Sequence, residues 1–446
     1  MDPNAVFKAY DIRGRTDTGE LDEMLYELVG SALVELLDTP RIAVGRDCRP
    51  SSPGFFDALA KGITEAGSDV VDLGEVPTDA VYYYSGARGV PGAVITASHN
   101  PPHYNGLKLC RAGAVPIGAD TGLEVIKEKV EQGVRRVASG TGSVTEADVV
   151  DDFVTHLLNT TGAEEIGPLR VAVDGGNGMA GVALEKVFAK IAAELEGLYI
   201  EPDGTFPNHP ADPLVPENLA DLTALVAEGG YDLGVAFDGD ADRAFFLDDQ
   251  ARPLSGSTVT SLIARSLLAD FPGSAVVHNL ITSKAVPEIV SEAGGTPVRT
   301  RVGHSFIKQV MADTDAVFGG EHSGHYYFRD NFRADSGMMA MLVLMRVLTE
   351  AGMPMSQLSK EVERYAASGE INFEVTDQDA ALARIEQAFA HGDIDHLDGL
   401  TVDLGDSWFN LRPSNTEPLL RLNVEAGSAE RVDELVAEVR RVVEEA

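Results

Sequence analysis

Three aspartates alternate in "FDGDADR": Asp238, Asp240 and Asp242. In an extended segment alternate side chains leave on one face, so the spacing predicts three converging carboxylates. Hard oxygen donors of this kind suit Mg²⁺, which keeps further positions for water or a phosphate oxygen. An EF-hand loop would carry Gly at its sixth position and Glu at its twelfth, where this one has Arg243 and Asp249. A solvated acidic turn is the plainer alternative. Against it, "LGVAF" and "AFFL" read as strands that pin the loop at both ends.

A second reactive candidate is Ser98, in "VITASHNPPHYNGLK". It lacks the G-x-S-x-G turn of an α/β-hydrolase nucleophile, with Ala97 and His99 beside it instead. If the strand continues to this point, Ser98 and His99 leave opposite faces, and His99 is poorly placed to act as its base. Two more loops are rich in donors. "RPSNTEP" joins Arg412 to Ser414, Asn415 and Thr416, a set that can wrap a phosphate and equally fits a capped helix start. "GEHSGH" offers Glu321, Ser323 and His325 to vicinal hydroxyls, though alone it reads as a polar loop.

The elements that must position these loops are visible as a repeat. Strand, turn, helix and strand recur from Arg41, Arg170 and Ser274, each stretch about the length of one βαβ unit. After each comes a strand leading into one of the polar loops: "GAVITASHNPP", "LGVAFDGDADRAFFLDD" and "AVFGGEHSGHYYF". The pattern predicts three similar mixed α/β domains with largely parallel sheets, ligands gathering at the strand ends. Residues 371–446 read as a smaller α+β domain with its own loop. The expected divisions are 1–145 (serine loop), 146–250 (aspartate loop), 251–366 (hydroxyl-binding loop) and 367–446 (phosphate-binding loop).

The chain has 446 residues, 44% of them hydrophobic, too many for one ordinary core. Its 35 basic and 71 acidic residues give a formal charge of −36, which disfavours nucleic acid and anionic membrane as partners. The first residues show no apolar signal core, and "GMMAMLVLMRVL" from Gly337 is short and contains Arg346, which fits a buried helix. Two cysteines, Cys48 and Cys110, make no disulfide framework. A cytoplasmic location is expected.

A seryl oxygen, a magnesium-type loop, a hydroxyl-binding loop and a phosphate-binding loop describe a site for phosphoryl transfer on a phosphosugar. Five motifs in one order, "YDIRG", "TASHNPP", "DGDADR", "GEHSGH" and "RPSNTEP", make the sequence similar to the α-D-phosphohexomutase family over essentially the whole chain. Within the family, stretches such as "YNGLKLCRAGAVPIGADTGL" and "HYYFRDNFRADSGM" look most like the bacterial phosphomannomutases. Dual phosphomannomutase/phosphoglucomutase enzymes share the "GE-x-SGH" form. Phosphoglucosamine mutases typically carry Gly in place of Ala241 and of Asn415.

The resemblance implies four domains around a central cleft and a phosphorylated Ser98. That group would pass to the free hydroxyl of mannose 1- or 6-phosphate, giving a 1,6-bisphosphate that then returns its other phosphoryl group. Mg²⁺ would sit on Asp238, Asp240, Asp242 and a phosphoserine oxygen, with Arg243 steadying the phosphoryl oxygens. Lys108 matches the base, for which a lowered pKa is expected, and His304 the second acid/base group. His99 would orient Ser98 or its phosphate. Tyr10, Arg13, Lys284 and Gly303 would line the cleft, Glu321, Ser323 and His325 would bind sugar hydroxyls, and Arg412, Ser414, Asn415, Thr416 and Arg421 would hold a phosphate. A sugar 1,6-bisphosphate activator and a monomer or homodimer complete the expectation. Other readings are a phosphoglucomutase or dual-specificity enzyme and, less favoured, a phosphoglucosamine mutase. A magnesium-dependent sugar phosphatase or an inactive phosphosugar-binding protein belongs to a different class. An inactive relative should have lost Ser98 or an acidic ligand, and a phosphatase must admit water to the phosphoserine.

Overall fold

The computed structural model describes residues 2–375, 377–413 and 419–444, without the side chain of His304. Two compact units account for the chain. The first is Met1–Ser255 with Val317–Gly319 and Ser323–Leu358; the second is Gly256–Ala316 with Gly320–His322 and Ser359–Ala446.

In the first unit, the strands β1 (Ile12–Arg15), β2 (Arg41–Arg46), β3 (Asp69–Glu75), β4 (Gly92–Ile95), β5 (Tyr104–Arg111), β6 (Val115–Pro116) and β7 (Val144–Glu146) form a seven-stranded sheet. Its order is β1-β5-β4-β2-β3-β7, with β6 on β5. The βαβ pattern from Arg41 gives β2 and β3 in parallel with the helix Ser52–Glu65 between them, and β4 then joins β2 in parallel. β4 is buried along its whole length, as strands covered on both faces should be. β5 returns antiparallel to β4, so the loop between them is a reversal at the carboxyl end of a parallel strand.

The second repeat follows the same plan. β8 (Arg170–Asp174) and β9 (Glu194–Leu198) are parallel around the helix Gly181–Phe188, and β10 (Leu233–Phe237) lies parallel to β8. β11 (Ala244–Leu247) and β12 (Pro253–Leu254) close a five-stranded sheet of order β12-β11-β10-β8-β9. The helix Gly337–Ala351 is buried from Gly337 to Leu348, which accounts for its apolar residues all round. Ser336 caps its first turn by accepting from the Met339 amide. No single helix among the described residues is long and apolar enough to cross a membrane.

In the second unit, β13 (Ala275–Asn279) and β14 (Thr296–Thr300) pair in parallel around the helix Ala285–Glu292. β15 (Phe318–Gly320), of which Phe318 and Gly319 belong to the first unit, and β16 (Tyr326–Phe328), also of the first unit, flank the "GEHSGH" loop in sequence. The C-terminal region carries β17 (Ala366–Glu374), β18 (Asp393–Asp395), β19 (Leu400–Asp403), β20 (Ser407–Pro413) and β21 (Leu419–Ala426) in a sheet of order β17-β21-β20-β19-β18. Val432, Leu435, Val439, Val442 and Val443 of the helix Ala429–Glu444 make an apolar stripe at helical spacing and join the core of this sheet. Three α/β regions and a smaller α+β region are therefore present, as the repeat predicts.

Candidate active site

β4 ends at Ile95, the chain leaves the ladder through Thr96 and Ala97, and a turn begins at Ser98, which adopts a left-handed backbone with φ of 50°. A non-glycine residue there is strained and must be held by its surroundings. The strand does not continue to Ser98, so the expected opposite facing of Ser98 and His99 does not occur: Ser98 Oγ lies 3.2 Å from His99 Nδ1.

β10 ends at Phe237, just before Asp238. The three aspartates do converge, their carboxylate oxygens lying within 4.8 Å of one another. Strand alternation is not the cause. The segment turns, Ala241 has φ of 63°, and it is this turn that gathers the carboxylates. Gly239 allows the turn to press on the serine loop, since a Cβ there would stand 2.4 Å from the Ser98 carbonyl oxygen.

The two loops share hydrogen bonds. Ser98 Oγ donates to Asp238 Oδ2 at 2.7 Å and accepts from Arg243 Nη2 at 3.2 Å. Arg243 Nε also donates to Asp238 Oδ2 at 2.8 Å, and Nη2 donates to His99 Nδ1 at 2.5 Å. A guanidinium only donates, so His99 Nδ1 carries no proton. Burial, then the charges of Arg243 and Arg13, push the His99 imidazole down to about 2, so it is neutral. Arg13, on β1, reaches Asn100 of the serine loop at 2.8 Å and pairs with Asp11.

Lys108, on β5, donates to Asp240 Oδ2 at 2.6 Å and to Asp242 Oδ2 at 2.5 Å. Burial opposes its charge, but Asp240 and then Asp242 outweigh burial and raise its pKa well above the ordinary value. The lowered pKa expected of a base is absent here because two carboxylates hold the ammonium. Asp240 is itself lowered: burial opposes ionisation, yet the Lys108 charge and hydrogen bond prevail. Asp242 is raised to about 6 by burial and then by Asp240.

Asp240 Oδ1 and Asp242 Oδ1 are buried and accept no hydrogen bond among the described residues. Buried carboxylate oxygens without donors are costly unless something else satisfies them. Three hard oxygen donors with two bare oxygens and a seryl hydroxyl beside them fit a divalent cation such as Mg²⁺.

His325 lies against the same group. An antiparallel bridge joins its backbone to Arg243, and its Nδ1 is 3.0 Å from Asp335 Oδ2. Tyr10 is half-buried in the bend before β1, and Ser323 is half-buried in the first unit.

The remaining expected residues belong to the second unit. Asn279 Nδ2 donates to Glu321 Oε2 at 3.3 Å, and Glu321 is buried. Lys284 precedes the helix Ala285–Glu292 and pairs with Asp403 at 2.7 Å. Both partners are part-exposed, so this contact is cheap to exchange for a ligand. Gly303, with φ of 133°, caps the helix His304–Thr314. Arg412 on β20 stands directly opposite Arg421 on β21, and the buried Nε of each has no partner among the described residues. Like charges facing across a ladder are unfavourable, and Glu370, 3.5 Å from Arg421 Nη1, offsets only part of that repulsion, which suits an anion-binding position. Ser414, Asn415 and Thr416 lie outside the described residues, as does the side chain of His304.

Two positions in the first unit that the motifs did not reveal bear on this geometry. Thr78 opens the helix Thr78–Arg88, and its Oγ1 donates to Asp240 Oδ2 at 2.7 Å while its amide donates to the Asp240 carbonyl at 3.1 Å. Asp335 fixes the His325 ring. The available signal was position: Thr78 follows the carboxyl end of β3 as Ser98 follows β4 and Asp238 follows β10.

Comparison with known proteins agrees over the full length. Models of phosphoglucomutase/phosphomannomutase α/β/α domains I, II and III match residues 4–137, 151–251 and 255–365, and the C-terminal domain model matches 370–442. A phosphomannomutase of Salmonella montevideo is 40% identical over 433 residues, covering 94% of both chains. The phosphomannomutase of Methanocaldococcus jannaschii is 34% identical over 441 residues, 98% of this chain and 97% of its own. A crystal structure of a phosphoglucomutase/phosphomannomutase family protein from Burkholderia thailandensis superposes with a TM-score of 0.90 at 31% identity, covering 99% of this chain and 98% of that one.

Proposed function

The chain belongs to the phosphoglucomutase/phosphomannomutase family and is an isomerase of the phosphohexomutase kind; on that premise we propose that it interconverts mannose 1-phosphate and mannose 6-phosphate through phosphorylated Ser98 and a 1,6-bisphosphate. The observation that carries this reading is Ser98 Oγ, donating to Asp238 at 2.7 Å beside Arg243 at 3.2 Å. A hydroxyl so placed has an acceptor for its proton and a guanidinium for the oxygens of a phosphoryl group.

In the first half-reaction the free sugar hydroxyl bonds to phosphorus as the Ser98 Oγ–P bond breaks, and the hydroxyl proton passes to a base. In the second, Ser98 Oγ bonds to the other phosphorus of the bisphosphate and the sugar oxygen leaves with a proton. Asp238, Asp240, Asp242 and Ser98 would hold Mg²⁺, which neutralises charge on a transferring phosphoryl group. Lys108 is the proposed base. What raises its pKa is its pair of carboxylates, and burial acts the other way. Lys108 therefore accepts a proton only when Asp240 and Asp242 are engaged by something other than its ammonium. His304 is the proposed second acid/base group, and neutral His99 orients Ser98.

Arg412 and Arg421, with Ser414 to Thr416, would grip whichever phosphate is not reacting, because their donors recognise a phosphate without regard to the carbon that bears it. Tyr10, Arg13, Lys284, Gly303, Glu321, Ser323 and His325 would hold the sugar phosphate. The four-part division at residues 1–145, 146–250, 251–366 and 367–446 is part of the same proposal, as are a bisphosphate activator, hexose phosphates as partners and a cytoplasmic location. A dual-specificity reading is favoured by relatives from Xanthomonas campestris, 40% identical over 425 residues, that are named phosphohexose mutases. Supplying mannose 1-phosphate or glucose 1-phosphate with Mg²⁺ and trace bisphosphate decides the matter. The proposal expects the manno sugar to be converted to its 6-phosphate with the higher kcat/KM. Release of inorganic phosphate alone would make the enzyme a phosphatase and overturn it.

A further inference from the structure

Arg49 is fully buried, and none of the motifs includes it. It follows the carboxyl end of β2 and lies beneath the loop that joins β4 to β5. Its Nη1 donates to the carbonyls of Pro101 at 2.6 Å and Tyr104 at 3.1 Å, and its Nη2 to those of Ser98 at 2.8 Å and Asn100 at 2.7 Å. Its Nε donates to Asp47 Oδ2 at 2.9 Å. A guanidinium has five N–H donors in a rigid fork, and each of the five finds an acceptor here. Three of those acceptors are carbonyls of the irregular loop, whose backbone has no ladder to satisfy it, and the fourth, that of Tyr104, belongs to the first residue of β5.

The supports of Arg49 are equally specific. Asp47 Oδ1 accepts from Ser52 Oγ at 2.7 Å, and Asn105 Nδ2 donates to Ser52 Oγ at 3.0 Å. The Phe206 ring lies 5.0 Å from the guanidinium carbon, and Gly204 leaves room for the approach, since a Cβ there would stand 2.2 Å from the Cys48 carbonyl. Asp47 balances the charge of Arg49, so what the arginine supplies is geometry. The strained backbone at Ser98 needs such a constraint, and Arg49 grips the Ser98 carbonyl itself.

We infer that Arg49 is a positioning residue for Ser98, fixing the left-handed turn that presents its hydroxyl to Asp238 and Arg243. This rests on the reading of Ser98 as the reacting hydroxyl. A loosened loop misplaces the reacting oxygen directly, and the described contacts link it to only one of the residues proposed to bind the sugar phosphate, Arg13 through Asn100 at 2.8 Å, so the effect falls mainly on kcat.

The test is Arg49→Lys, which keeps the charge and offers at most three donors. We expect kcat to fall by about 100-fold with KM within about threefold of wild type, the signature of a misplaced reacting group. Amide hydrogen exchange should quicken across residues 97–106 and stay unchanged in β8 and β10. Should Arg49→Lys not fold, Asp47→Asn, which leaves the arginine in place but loosens its Nε contact, is read in the same assays with about a tenfold fall in kcat expected. Wild-type kcat in a folded variant overturns the inference, as does faster exchange spread over the whole unit. The exchange measurement does not depend on turnover. Loss of the Ser98 reading, shown by an active Ser98→Ala, is thereby distinguishable from failure of Arg49 to hold the loop.

Discussion

Replacing Asp240 by Asn keeps the volume of the side chain and removes one charge from the aspartate cluster. Asp240 is fully buried and accepts from Lys108 Nζ at 2.6 Å and Thr78 Oγ1 at 2.7 Å. Without a cation two effects oppose each other. The lysine loses one of its two carboxylates, while Asp242, held up at about 6 by burial and then by Asp240, is relieved of a neighbouring charge. The metal-free variant should therefore unfold near the wild type. With Mg²⁺ the effects no longer cancel, because a ligand stabilises by RT ln(1 + [L]/Kd). At a concentration about 100 times Kd the wild type gains about 2.7 kcal/mol, and a variant binding about 100-fold more weakly gains about 0.4 kcal/mol. Turnover should fall by about 10²- to 10³-fold if charge neutralisation dominates the chemical step. Denaturant unfolding with and without Mg²⁺, beside kcat for each protein, reads all three quantities. An undiminished Mg²⁺ stabilisation in Asp240→Asn, or full wild-type turnover in excess chelator, would refute the reasoning.

Arg412→Ala should weaken 1-phosphate and 6-phosphate substrates alike, by about 2 to 4 kcal/mol in kcat/KM, and raise the need for added bisphosphate; an effect on one substrate alone would mean the arginine serves a single orientation. The net charge of −36 repels a dianionic substrate, and salt screens beyond about 10 Å at 0.1 M, so kcat/KM should stay flat or rise with salt at low ionic strength; a steep fall would show that attraction governs the encounter. His278 is held at about 4 against 6.5, chiefly by burial, so it is neutral when folded, and its stabilisation is present above pH 6.5 and lost as pH falls towards 4. The depression from 6.5 to about 4 corresponds to about 3 kcal/mol, and unfolding free energies of His278→Gln across this range should show a correspondingly flatter acid limb.

Much of this architecture was legible because its signals are local. The parallel pairs β2–β3, β8–β9 and β13–β14 follow from short apolar strands and amphipathic helices contiguous in sequence. Ser98 and the aspartates stood out because each lies in one short polar loop after a buried strand. Their geometry was less legible. Alternation correctly suggested converging carboxylates, but the structure achieves it by a turn at Ala241, which no strand periodicity encodes. The state of Lys108 depends on Asp240 and Asp242, 132 and 134 residues away, and a family motif carries no sign of their charge balance. Thr78 is separated from Asp240 by 162 residues. Arg49 looked like one charge among many, since its partners are carbonyls that every residue possesses.

The central claim is that Ser98 stores a phosphoryl group and exchanges it with a sugar phosphate. Incubating the enzyme with a hexose 1,6-bisphosphate and Mg²⁺, then measuring the intact mass before and after adding excess mannose 1-phosphate as acceptor, tests it directly. The expected result is one added phosphoryl group that maps to Ser98, disappears on adding the monophosphate while 1,6-bisphosphate forms, and is absent from Ser98→Ala. Wild-type mutase activity in Ser98→Ala, or a phosphoryl group that never leaves for the sugar, would contradict it.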